Sequence, residues 1–288
     1  MTTDQRRGAV TYLRATYPVS ERRACRLTRL ARSRWQHRSR RPSDAPLAEA
    51  LKQKAEDRPR WGYRRLALLL RRDGWTVNLK RVLRVYRAEG LRVRKGRRRV
   101  KQVSALRVPR PVADAPNAQW TADFIHDQLA DGRRFRTLSV VDEYTRECLH
   151  LAPDTTWPSA KVAGALDGVA AARGAPARIV LDHGPELAAR ALDAWAYGRG
   201  VALAFTRRGK PVDNCYIESF HDKFRDECLS THWFLDLADA RRLIAAWRDD
   251  DNAVRPHSSL GNRTPAEFAV LLRTDSELTS AHPTPSPT

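Results

Sequence analysis

The sequence predicts an α/β protein: a mixed-sheet core with a strongly basic, all-α region in front of it. Charge is the first observation behind that expectation. Residues 1–116 hold 33 Lys+Arg against 9 Asp+Glu, a net of +24, whereas the rest holds 20 against 24, a net of −4. A polyanion-binding module is therefore joined to a nearly neutral one. The second observation is a change of apolar period, helical before residue 91 and strand-like from 117. The third is a set of acids, Asp123, Asp182 and Glu218, with thirty-five residues between the last two. Each lies at the edge of an apolar strand or at a helix start. Carboxylates gathered this way in a basic chain suggest divalent cations acting on a phosphate backbone.

Residues 1–41 read as a basic helical segment with Leu27 and Leu30 as apolar anchors, closed by Arg38 to Arg41 and followed by a Pro-Ser-Asp-Ala-Pro break at 42–46. Residues 42–91 read as a helix-turn-helix domain. A short helix over 47–57 precedes one opening at Arg60-Trp-Gly-Tyr-Arg-Arg-Leu, with Leu66, Leu69 and Leu70 inward and Asp73-Gly74 as its stop. Asn78 caps a third helix, in which Leu79, Val82, Leu83 and Tyr86 share one face. Lys80, Arg81, Arg84 and Arg87 take the other face. An apolar face backed by a cationic one suits DNA contact, the plainer alternative being any basic helical hairpin. Arg64 and Arg65 join that expected contact set. Residues 92–116 read as a basic, proline-containing linker, where Lys95, Arg97, Arg98 and Arg99 are expected to lie along phosphates.

From 117 to 230 the elements alternate. Strands are expected over 118–129, 134–142, 145–151, 177–181 and 201–205, and helices over 158–173, 186–197 and 213–229. Three antiparallel strands followed by alternating helices and strands suggest a sandwich of ribonuclease H type. Residues 231–273 add a C-terminal helical extension with helices over 236–250 and 264–272, and 274–288 read as a disordered tail. Cys25, Cys148, Cys215 and Cys228 form no Cys-x-x-Cys pair, so reduced thiols in a cytosolic protein are expected. No apolar run approaches the roughly 18 residues of a membrane span, and the first residues lack a signal peptide's apolar stretch.

Several segments together resemble one family. These are Trp120-Thr-Ala-Asp123-Phe, Asp182-His-Gly-Pro-Glu186, Arg208-Gly-Lys-Pro, Asp213-Asn214 with Ile217-Glu218-Ser219-Phe220, and Arg255-Pro-His-Ser-Ser-Leu-Gly-Asn with Thr264-Pro-Ala-Glu-Phe. In this order and spacing they resemble bacterial insertion-sequence transposases of the second-reading-frame type, whose catalytic core is related to retroviral integrases. The family commonly has Asn where this chain has His183, and Tyr where it has Asp251.

The resemblance implies a ribonuclease H-like core with two Mg²⁺ or Mn²⁺ ions. Asp123 would bridge both, Asp182 hold one and Glu218 the other. It implies double-stranded DNA as partner, both terminal inverted repeats and target, with a homo-oligomer assembled on it. The product of an upstream reading frame, fused or separate, is a further expected partner, with no membrane involved. The setting would be the bacterial cytoplasm, at the nucleoid. Asp213 and Asn214 read as the N-cap of the Glu218 helix, with His183 as a supporting group. Lys210 and His221 are expected to touch DNA. Asp142 and Glu186 are set aside as principal ligands, one lying within a hairpin and the other opening a helix. The expected activity is metal-dependent cleavage and strand transfer. A DNA-binding regulator with a weak core, or a structure-specific nuclease on the same fold, remains the alternative.

Overall fold

A computed structural model of the 288-residue chain describes residues 1–37, 43–93, 113–182, 184, 186–187, 190–206 and 215–281. Of 275–281 it describes the backbone alone.

The basic region divides into two small helical bodies. In the first, α1 (Thr3–Thr16), α2 (Glu21–Leu27) and α3 (Arg32–Gln36) enclose Val10, Ala24, Cys25 and Leu30. Leu27, expected as an anchor, is exposed instead, because the helix face that meets α1 is the one carrying Ala24 and Cys25. The second body has α4 (Ala45–Asp57), α5 (Tyr63–Arg72) and α6 (Leu79–Ala88) around Leu47, Leu51, Trp61, Leu66, Leu70, Val82, Val85 and Tyr86. Asn78 caps α6 as expected, its side chain accepting from the Lys80 N–H at 2.8 Å. Val85 rather than Leu83 completes the buried stripe, since 82, 85 and 86 are consecutive on a 3.6-residue helix.

From β1 onward the chain builds a five-stranded sheet in the order β3-β2-β1-β4-β5. The strands are β1 (Gln119–Gln128), β2 (Arg134–Asp142), β3 (Cys148–Asp154), β4 (Arg178–Leu181) and β5 (Ala202–Phe205). The first three pair antiparallel, and β4 and β5 join β1 in parallel. β3 begins three residues later than expected. Asp142 draws the Tyr144 and Thr145 N–H groups at 2.8 and 3.0 Å, which folds 142–146 into a turn.

Helices cover both faces. Against one, α7 (Ser159–Arg173) and α8 (Arg190–Arg199) pack over Trp120, Val140, Ile179 and Leu181. Against the other lie α9 (Cys215–Phe224), a π-helical turn at Arg225–Leu229, and α10 (Leu237–Ala253). Phe220 and Phe224 meet Trp247 of α10 at ring-centroid distances of 5.5 and 4.9 Å. Burying each such side chain is worth about 2–3 kcal/mol. α10 is consequently one layer of the core, not an extension appended at residue 231. It also finishes a strand edge, because the Asn252 amide donates to and accepts from the Cys148 backbone at 2.9 Å each way. The last helix, α11 (Pro265–Ala281), runs past the expected tail boundary at Thr274, since the chain holds no Gly or Pro between 274 and 282 to stop it.

Candidate active site

The sheet register brings the first two acids together. β1 and β4 run parallel with Ala122 beside Leu181, so the next residues, Asp123 within β1 and Asp182 just past β4, come side by side. Asp123 is half-buried in mid-strand opposite Ser139 of β2. Asp182 is exposed just past the end of β4, where the Thr206 hydroxyl donates to its carboxylate at 3.3 Å. Thr206 is fixed in turn by its own N–H on the Leu181 carbonyl at 2.9 Å. Glu218 lies in the first turn of α9, exposed beside the buried face of Ile217, Phe220 and Phe224. Arg146, in the turn after β2, stacks 4.0 Å over Tyr216 and pins the start of that helix.

Asp123 feels the other two carboxylates. Burial pushes the Asp123 carboxyl up to about 6, and the negative charges of Asp182 and Glu218 push the same way against the Phe124 N–H that accompanies it at 2.7 Å. The basic group beside it gives no relief. His221 Nδ1 stands 3.8 Å from Asp123 and its Nε2 3.0 Å from the Ser139 hydroxyl. Burial, with Arg225 nearby, pushes this imidazole down to about 4, so it is neutral at pH 7. His221 therefore sits against the central carboxylate, with its ring mostly covered, and does not stand open toward solvent. Among the described residues no three His, Cys, Asp or Glu side chains stand close enough to grip an ion as they are placed. The donor chemistry nevertheless fits a hard cation: three carboxylates, two of them exposed and the third, Asp123, half-buried with its ionisation opposed.

The chain matches the integrase core domain family over residues 113–211 and again over 199–265, and the HTH-like domain family over 43–99. An insertion element IS407 protein of 31.7 kDa from Burkholderia multivorans is 46% identical over 93% of this chain and 97% of its own length. An insertion element IS476 protein of 39.2 kDa from Xanthomonas euvesicatoria is 42% identical over 94% of this chain and 78% of its own. Transposase InsF of insertion sequence IS3A from Escherichia coli is 24% identical over 85% of this chain and 92% of its own.

The chain belongs to the insertion-element transposases with an integrase core.

Other acids of this transposase are already occupied, which explains why they are poor ligands. Asp142 is fully buried and accepts from the Asn117, Tyr144 and Thr145 backbone N–H groups. Glu186 is paired with Arg136, which holds its carboxyl below the usual range. Asp251, at the family's Tyr position, is fully buried 3.3 Å from Arg255 and 3.4 Å from His257. Burial alone would raise its pKa, yet these partners keep it lowered.

The expected DNA contacts divide. Arg64 is exposed over the Tyr63 ring, and Lys80 and Arg87 face solvent. Arg81 and Arg84 both hold Asp44, at 2.8 and 2.6 Å. Arg65 points into the protein, donating to Glu227 at 3.0 Å. Lys95, Arg97, Arg98, Arg99, His183, Lys210, Asp213 and Asn214 lie outside the described residues.

Glu227 itself escaped the sequence reading. Its carboxylate, 8% exposed, accepts from Trp61 Nε1 at 3.2 Å, Arg65 at 3.0 Å, and Arg255 at 3.0 and 2.6 Å. It sits in the π-helical turn that continues α9, and so joins the helix-turn-helix body to the helix bearing Glu218. Arg58 with Asp250, and Arg72 with Glu267, extend the same seam. Ser139 and Thr206 escaped too, since a lone hydroxyl carries no periodic signal.

Proposed function

We propose that this transposase cuts the ends of its insertion element and joins the freed 3′-hydroxyls to target DNA, with Asp123, Asp182 and Glu218 as its catalytic carboxylates. The reading rests on the parallel register of β1 and β4, which sets Asp123 and Asp182 side by side, with the charge of Glu218 also felt at Asp123. Asp123 would be shared between two Mg²⁺ or Mn²⁺ ions, with Asp182 and Glu218 each completing one. When bound, such ions neutralise charge developing on phosphate and acidify the attacking oxygen.

The protein's own groups prepare that site. Thr206 orients the Asp182 carboxylate, and Ser139 holds the His221 ring, which covers one side of Asp123. Being neutral, His221 leaves the acids their full charge for cations. Three like charges at this range repel, so closing the set requires positive charge from outside. Lys210 serves as a phosphate contact, and Asp213 and Asn214 support Glu218. Exposed Arg64, Lys80 and Arg87, with the cationic run from Arg92 to Lys101, bind the duplex ends. Two ends must be held together for joining, so the working form is an oligomer on DNA. The upstream-frame product, fused or separate, completes that assembly. The protein acts where its DNA is, at the nucleoid. Among the described residues no helix is long and apolar enough to cross a membrane.

Purified protein with Mn²⁺ and labelled terminal repeats should yield joined products. Asp182→Asn should lower joining roughly 1000-fold, about 4 kcal/mol of barrier, while DNA binding persists. Cut but unjoined DNA would point to a nuclease, and binding without cutting to a regulator. Wild-type joining by Asp182→Asn would refute the carboxylate assignment.

A further inference from the structure

The matched families leave residues 1–37 unassigned, yet this segment folds with a core of its own. Val10, Ala24, Cys25 and Leu30 are 5% exposed or less, and Leu13, Val19 and Trp35 pack against them. The connection from α2 to α3 is four residues long, Thr28 to Ala31. It turns through Arg29 at φ +52°, and the Leu30 N–H closes back on the Cys25 carbonyl at 2.9 Å. The second helical body closes α5 in the same way, through Gly74 at φ +87° with the Trp75 N–H on the Leu70 carbonyl at 2.9 Å. A helix ended by a left-handed residue, an inward apolar residue, then a second helix within four residues is helix-turn-helix geometry. From α1, Arg7 donates to the Arg34 and His37 carbonyls at the end of α3, and Arg6 to the Arg29 carbonyl at 3.0 Å. The three helices are thereby locked as one unit.

The charge of this unit is unspent. It carries nine Arg against Asp4 and Glu21, and Glu21 is taken by Arg32 at 2.8 Å and Gln36 at 2.7 Å. Arg22, Arg23, Arg26 and Arg34 are exposed, with no ion pair among the described residues. In the second body, by contrast, Arg65, Arg81 and Arg84 are engaged by Glu227 and Asp44. Exposed guanidinium groups on this pair of helices suit a polyanion such as the phosphates of duplex DNA.

We propose that residues 1–37 are a second DNA-binding module, a helix-turn-helix that presents α3 to the major groove of a duplex while Arg22, Arg23 and Arg26 of α2 hold the flanking phosphates. Arg34 and Ser33, exposed on α3, are the groups placed to meet base edges. The inference rests on the reading of this protein as one that acts on duplex DNA, and its test is independent of cleavage.

The test uses the full chain in EDTA with a labelled duplex from the end of its insertion element, titrated across a salt series. R22A/R26A/R34A should weaken binding roughly tenfold or more and lower the salt slope of log K by about 2, one for each phosphate-holding arginine removed. Its melting temperature should be unchanged, and R22K/R26K/R34K should restore the slope. Unchanged affinity and slope in the alanine variant would overturn the proposal. So would loss of self-association by light scattering with DNA binding intact, which would make this face a protein contact. Wild-type binding without joining in Mn²⁺ would count against the proposed function and leave this inference standing.

Discussion

Two ends of a single helical rod, α9 and the π-helical turn after it, handle negative charge in opposite ways. Glu218 at one end stands exposed near Asp123 and Asp182, and the imidazole beside that group is neutral. Glu227 at the other end is buried under Arg65, Arg255 and the Trp61 indole, with Asp251 on the same guanidinium. A carboxylate surrounded by donors fixes structure and offers nothing to a ligand. Carboxylates that oppose one another cost stability when empty and favour an incoming cation. The rod thus carries a structural joint and a reactive end, and the joint is where the helix-turn-helix body reaches the core.

Neutralising each end in turn should break the comparison most visibly. Glu218→Gln should remove strand transfer roughly 1000-fold while leaving the urea midpoint where it was, because the side chain is exposed. Loss of folding in that variant would mean the reactive end is structural after all. Glu227→Gln should cost about 3–5 kcal/mol in urea unfolding, since Arg255, 2% exposed at its side chain, is left without its main counter-charge. Adding Arg255→Met should recover little of that loss, because fully buried Asp251 then loses the same guanidinium. If the single variant were neutral, the joint would be decorative.

Asp123 gives a smaller effect with a definite sign. Its folded pKa of about 6 lies above the usual 3.8, so the folded state holds that proton more tightly than the unfolded chain. Stability from this group falls as pH rises between those values, and the penalty is complete above pH 6. Asp123→Asn should therefore raise metal-free stability by about 3 kcal/mol at pH 8, and by little at pH 4. Mn²⁺ should raise the melting temperature of wild type and not of the variant.

His150, away from both ends, supplies a control with the reverse sign. Burial, with Arg248 nearby, holds its imidazole at about 4. Its contribution is present above pH 6.5 and is lost as pH falls toward 4. Between pH 8 and 6 the loss is about 1 kcal/mol, and His150→Phe should abolish that part of the pH dependence.

The legible part of this molecule was local. Helix and strand periods reported α4 to α6 and the order of the five strands, because repeat spacing depends on neighbours a few residues away. The turn at Asp142 and the continuation of α11 beyond Thr274 were missed, since one depends on a side chain capping its own backbone and the other on the absence of a stop. Family-like spacing drew attention to Asp123, Asp182 and Glu218, and the register of β1 with β4 then brought the first two side by side.

By itself the sequence determined which stretches become helices and strands, that the positive charge lies in front, and which acids border apolar segments. Tertiary structure decided which charges are already answered. Arg65 meets Glu227 across 162 residues, and Arg81 meets Asp44 across 37. Pairings at such separations leave no periodic trace, and Coulomb interaction with desolvation responds to distance and burial in space. For that reason the same chemical group, a carboxylate on one rod, is a fastening at Glu227 and a free hand at Glu218.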